Sequence, residues 1–268
     1  HHLLLDGWSG ALLSNEVFAF YQAARDQGAL QLKRARPYQD YIAWLQKQDL
    51  TRAQAFWKKR LEGFSSPTPL YAARGAAPDG PVRYDRRTIH LSDAATTALK
   101  SLARRHQLTL NTVVQGGWAL LLSRYSGEDD VVFGATVSGR PADLDGVEEM
   151  IGLFINTLPV RVRIPADELF IPWLQALQAQ QLDLRDYEYS PLYLVQRWSD
   201  IPRGQPLFES IVVFENFPTV KSPAGDRGFA IKDVHTHEET NFPLTVGAEP
   251  GDSLLLRINY DCSRFDVG

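Results

Sequence analysis

A single cysteine, Cys262, excludes an internal disulfide and fits a reducing cytoplasm. The six histidines are scattered, and no cysteine cluster or HExxH pattern supplies metal-site spacing. His235 and His237, beside Glu238 and Glu239, can share one face of a strand, but no third ligand stands near them. No apolar run approaches the roughly 18 residues of a membrane span, and no signal peptide is visible. Basic surplus is missing too. With 28 Lys and Arg against 32 Asp and Glu, the net charge of -4 excludes the concentrated cationic field that a nucleic-acid surface needs. Internal repeats and low-complexity tracts are absent. What is present is a globular profile, 44% hydrophobic and 22% charged over 268 residues, enough for one large domain or two compact lobes.

Leu12, Leu13, Val17, Phe20, Tyr21 and Ala24 recur at helical spacing. They predict a helix capped by Ser9 or Ser14 and running to about residue 29, with Gly28 as its stop. A second helix is expected to start at Arg36-Pro37, carrying Tyr41, Trp44 and Leu45, and a third is expected to be capped by Thr51, carrying Phe56, Trp57 and Leu61. Residues 65–81 are rich in Pro, Gly, Ala and Ser and read as a linker or crossover. Strand and helix then alternate. Strands are expected at 84–91, 131–137, 155–164, 207–214, 229–234, 242–248 and 254–260. Helices are expected at 92–106, capped by Ser92, at 112–125, capped by Asn111, and at 170–187. The mixture implies an α/β or α+β two-layer sandwich. Three regions follow: 1–64, the linker 65–81, and a lobe over 82–268.

The opening residues, His1-His2-Leu3-Leu4-Leu5-Asp6-Gly7, form the first candidate site. They run directly into apolar sequence, unlike the remnant of a purification tag. A histidine at the end of an apolar strand titrates near neutrality and can take a proton from an attacking nucleophile. An aspartate four residues on can fix the local geometry through an ion pair. Gly7 lets the backbone turn, and its N–H can point at a developing oxyanion. A structural histidine and a helix-capping aspartate fit the same residues.

Companion motifs stand further along the chain. His1-His2-x-x-x-Asp6-Gly7-Trp8-Ser9 is followed by Tyr38-Gln39-Asp40-Tyr41-Ile42-Ala43-Trp44 and by Ile151-Gly152-Leu153-Phe154-Ile155-Asn156-Thr157-Leu158-Pro159-Val160-Arg161. Tyr189-Ser190-Pro191-Leu192 comes next, then Pro202-Arg203-Gly204-Gln205-Pro206-Leu207-Phe208 and Val213-Phe214-Glu215-Asn216. In this order the set resembles the condensation domains of nonribosomal peptide synthetases, within the chloramphenicol acetyltransferase-like superfamily. The Tyr189 motif departs from the pattern, because the family often has His where this chain has Tyr.

The resemblance implies two acetyltransferase-like lobes in a V, the first incomplete here, with a tunnel reached from both ends by phosphopantetheine arms. Upstream and downstream peptidyl carrier proteins would bring the substrates, and an adenylation domain would neighbour this one in the same synthetase. No tightly bound cofactor is implied, and no nucleic acid or membrane. By position, His2 would be the active histidine, with Asp6, Gly7 and Asn216 at the reacting centre. His1 would be structural, as would Arg140 as the partner of Asp6, and Trp8 and Ser9 would line the acceptor side of the tunnel. Asn156 to Pro159 would be architectural, and Arg161 and Arg163 would share a solvated strand face. The chain is expected to start inside such a domain and to be inactive by itself. Alternatives are an epimerization domain, which shares the His-His-x-x-x-Asp frame, and an inactive module that only docks carrier proteins. A cyclization domain would carry Asp in place of the first His, which this chain does not.

Overall fold

The computed structural model describes residues 3–70, 83–218 and 240–265. These group into two compact units by contact. The first takes 1–48, 138–155 and 216–238, and the second takes 49–137, 156–215 and 239–268. The chain therefore passes between units several times, and the sequence division at 65–81 is not the one its contacts make. Part of that supposed linker is core: Thr68 is buried, its hydroxyl accepting from the Val132 N–H at 2.8 Å, and Leu70 packs on a hydrophobic cluster. Residues 71–82 lie outside the described residues, as does the strand expected at 229–234.

The second unit is built on a six-stranded mixed sheet in the order β1-β6-β5-β4-β2-β3. Its strands are β1 (Tyr84–His90), β2 (Asp130–Val137), β3 (Asn156–Arg163), β4 (Ser210–Phe214), β5 (Leu244–Glu249) and β6 (Leu255–Asp261). β4 runs parallel to β2 and β5, and the other pairings are antiparallel. Alternation along β2 splits the core in two. Val131, Phe133 and Ala135 join one cluster with Leu122 of α5 (Leu110–Ser126) and Trp173, Leu174 and Leu177 of α6 (Phe170–Arg185). Val132 joins another with Ala53, Trp57 and Leu61 of α3 (Leu50–Leu61) and Val195 of α7 (Leu192–Trp198). Helices thus pack on both faces of the sheet, within the mixed α/β class expected from the sequence. The remaining helix of this unit is α4 (Asp93–Arg105), capped by Ser92 as expected.

β3 lies at the sheet edge, and its exposed side is blunted. Gln180 donates to the Arg161 carbonyl at 2.8 Å, Trp173 donates to the Arg163 carbonyl at 2.8 Å, and Pro159 has no N–H to offer. Arg161 corrects the expectation of a solvated face. Its side chain is only 10% exposed, pairs with Asp130 at 2.7 Å and donates to the Glu62 carbonyl, because α3 and the segment after it cover that part of the sheet. Arg163 does stay exposed.

The first unit holds α1 (Gly7–Arg25), α2 (Gln39–Leu45) and a 3₁₀ turn at Val147–Glu149. Its small core gathers Tyr41, Val147, Met150 and Phe154, with Tyr38, Trp44, Leu45 and Leu144 packed around them. Three helix caps differ from the sequence reading. Asp6 rather than Ser9 or Ser14 caps α1, Asp49 rather than Thr51 caps α3, and Thr109 rather than Asn111 caps α5. The apolar stripe of α1 is largely open, with Val17 and Phe20 exposed and Ser9 and Ala11 the residues it buries. Among the described residues, no helix is long and apolar enough to cross a membrane.

Candidate active site

Asp6 closes the N-terminus of α1, and its carboxylate also reaches two other segments. Oδ1 accepts from the Ser9 N–H at 2.8 Å and from Arg140 Nη2 at 3.3 Å, while Oδ2 accepts from the Phe154 N–H at 3.1 Å. The Arg140 and Asp6 side chains are 3% and 0% exposed, so the pair stands out of water. A buried ion pair is costly unless its other donors and acceptors find partners, and here they do except for Arg140 Nε. Arg140 Nη1 donates to the carbonyls of Val147 and Met150, and Nη2 donates also to Ser9 Oγ at 3.0 Å. The guanidinium lies 3.9 Å from the centroid of the Phe154 ring and 5.4 Å from that of Trp8, which adds cation–π attraction on both. Trp8 is fixed in turn by its Nε1, which donates to the Glu148 carbonyl at 3.0 Å. Burial pulls the Arg140 pKa below its ordinary value, and the Asp6 charge opposes that shift.

Ser9 ties α1 to residue 152. Its hydroxyl donates to the Gly152 carbonyl at 2.9 Å and accepts from the Gly152 N–H at 3.1 Å, while the Asp6 N–H donates to the same carbonyl at 3.2 Å. Gly152 has no room for a side chain, since a Cβ there would stand 2.1 Å from Cδ2 of Tyr38. The Tyr38 hydroxyl donates to the Leu153 carbonyl, and its ring meets Phe154 edge-on at 5.1 Å. Burial pushes the Tyr38 phenol up, Asp6 adds to the shift and Arg140 opposes it. Gly139 allows Arg140 to approach at all. Its φ is +61°, and a Cβ would fall 1.8 Å from the Phe154 carbonyl oxygen.

The structure therefore brings Asp6, Trp8, Ser9 and Arg140 together with Tyr38, Gly152 and Phe154. His1 and His2 lie outside the described residues. Gly7 is the first residue of α1, and Phe217 approaches it closely, which carries the neighbouring Asn216 to this end of the helix. Asn216 itself is exposed, two residues beyond the end of β4. Trp8, expected in the tunnel, is engaged with Arg140 and Glu148. Asn156 is architectural in the second unit, donating to the carbonyls of Glu188 and Ser190 at 2.8 and 2.7 Å. Sequence reasoning passed over Gly139, Gly152 and Phe217 as site residues. Gly152 was visible only as a member of a motif, and Gly139 and Phe217 gave no signal.

Among the described residues, no group of three or more His, Cys, Asp or Glu is placed to hold a metal, and His235 and His237 are not among them. A cleft of about 830 Å³ lies in the second unit, lined by residues including Phe56, Arg60, Arg161, Asp183 and Tyr187. It contains none of the residues expected to act on substrate.

In fold, the chain is similar to solved structures. The X-domain from teicoplanin biosynthesis matches with a TM-score of 0.79 at 23% identity, over 100% of this chain and 64% of that one. The first condensation domain of the calcium-dependent antibiotic synthetase, in complex with a substrate analogue, matches with a TM-score of 0.75 at 18% identity, over 99% of this chain and 60% of that one. The chain belongs to the condensation domain family, whose model matches residues 1–267. Among curated relatives, one of the linear gramicidin synthase proteins of Brevibacillus parabrevis is 53% identical over 271 aligned residues, covering 100% of this chain and 5% of the relative. A surfactin synthase protein of Bacillus subtilis is 39% identical, covering 99% of this chain and 21% of the relative. The chain thus spans a small part of the synthases it resembles.

Proposed function

We propose that this chain carries the histidine motif and the acyltransferase lobe of a nonribosomal peptide synthetase condensation domain. The reaction joins a donor aminoacyl or peptidyl thioester to an acceptor aminoacyl thioester, both on phosphopantetheine arms of carrier proteins. The acceptor amine attacks the donor carbonyl, a C–N bond forms and the C–S bond breaks. The proton lost by the amine ends on the departing thiol. His2 receives or steers that proton, Gly7 lies beside the reacting group, and Asn216 offers a hydrogen bond near the carbonyl. Asp6 and Arg140 act on the protein, fixing the start of the helix that follows the histidine motif. The upstream and downstream carrier proteins and an adjacent adenylation domain are its partners, in the cytoplasm.

The observation carrying this reading is the buried Asp6–Arg140 pair, which binds the histidine motif to residues 152–154 of the family's strand motif. A docking module has no need of so extensive a buried network at that position. The test is mass spectrometry on the intact synthetase module with both carriers loaded, run in deuterated water. A joined product is expected. Deuterium entering the donor α-carbon with no joined product replaces condensation with epimerization, and silence in both readouts leaves a docking module.

A further inference from the structure

Gly7 is a glycine without a backbone reason. It opens α1 in ordinary helical geometry and is absent from the glycines that need a positive φ. The reason is spatial. A Cβ on Gly7 would stand 2.7 Å from Cζ of Phe217 and 2.9 to 3.0 Å from its Cε atoms. The tip of the ring thus occupies the place of the missing side chain, against the first residue of α1 and next to the N-cap Asp6. The rest of Phe217 does not sink into the protein, because the residue remains 42% exposed. Large aromatic rings usually gain stability by burial, and one left nearly half open beside a reactive motif has apolar area to give to a ligand. Asn216, its neighbour in the chain, is exposed at the same end of the helix.

We propose that Phe217 determines the side-chain specificity of the condensation reaction, its tip seated on Gly7 and its open face in contact with the apolar side chain of an incoming aminoacyl group. The inference rests on the function proposed above. The ring is a wall of adjustable bulk, so shrinking it makes room for larger side chains and weakens contact with those it now fits.

The experiment uses the intact module with two series of loaded substrates, one varying the donor side chain and one varying the acceptor, from alanyl to naphthylalanyl. In Phe217→Ala and Phe217→Leu, the ratio of kcat/KM for bulky over small side chains is expected to rise about tenfold or more in one series, the usual scale for a methylene's worth of pocket. The series that moves identifies which substrate meets the ring. Gly7→Ala pushes the free tip of the ring aside without disturbing helical backbone, so it should fold normally and lose rate. Gly7→Ala with Phe217→Ala should recover at least about tenfold over Gly7→Ala alone, a coupling that independent sites do not show. An unchanged ratio in both series, in Phe217→Leu as in Phe217→Ala, overturns the proposal, as does a double variant no faster than Gly7→Ala. If the unaltered module forms no amide at all, it is the parent reading that fails.

Discussion

At the scale of single residues, Asp6 and Arg140 show how a charge pair can sit in the interior. Taking both ions out of water is costly, and the cost is offset here by five further hydrogen bonds: to Asp6 from the N–H groups of Ser9 and Phe154, and from Arg140 to Ser9, Val147 and Met150. Removing one partner strands the other. Asp6→Asn should destabilise the intact domain by about 3–5 kcal/mol, read as a lower urea midpoint with an unchanged slope. A drop below about 1 kcal/mol would mean the pair is not the anchor of the site. Gly139→Ala should also destabilise, because the φ of +61° and the nearby Phe154 oxygen both exclude a side chain. About 1–3 kcal/mol is expected for the backbone strain alone, measured by the same unfolding. Arg140 was legible in the sequence as a cation following an apolar strand. The cap of α1 was not, because Asp6, Ser9 and Ser14 are all good capping residues, and only the burial of Asp6 against Arg140 decides among them.

At the scale of elements, the β2–β3 pair joins packing to titration. Asp130 pairs across to Arg161 and Arg163 at 2.7 and 3.2 Å. Burial pushes its carboxyl up, but the hydrogen bonds and charges of Arg161 and then Arg163 outweigh that and hold it below the ordinary carboxylate range. A depressed folded-state pKa contributes stability that is present above the unfolded value and lost as pH falls through the folded one. Acid should therefore weaken the domain below about pH 5, and Asp130→Asn should flatten that slope while lowering stability at neutral pH. Thermal melting from pH 7 to pH 3 checks both, and parallel slopes would contradict the assignment. Most strands and helices were legible from alternation and helical spacing, since those patterns reflect burial directly. Arg161 was misread because alternation places it on a face without saying what covers that face. Gly134 hid inside an apolar run, although a Cβ there would come 2.3 Å from the Phe208 ring.

At the scale of the molecule, the residues of the site come from places far apart in the chain: 6–9, 38, 139–140, 152–154 and 216–217. No local pattern links such segments, so only their resemblance to an ordered set of family motifs pointed to them as one site. That resemblance covered the chain, and the family match over residues 1–267 agrees with it. What it did not disclose was the contact of Phe217 with Gly7, which depends on how the chain leaves β4. The division into units was equally hidden, because α3 and residues 65–70 carry their apolar groups into the core of the sheet.

We propose above that His2 governs amide formation. The most direct test is the single-turnover rate of dipeptide formation by the intact module, comparing the unaltered protein with His2→Ala while circular dichroism confirms that both are folded. A loss of at least about a hundredfold with folding preserved is expected, the usual scale for removing a general base. A folded His2→Ala module that joins its substrates at the original rate would contradict it.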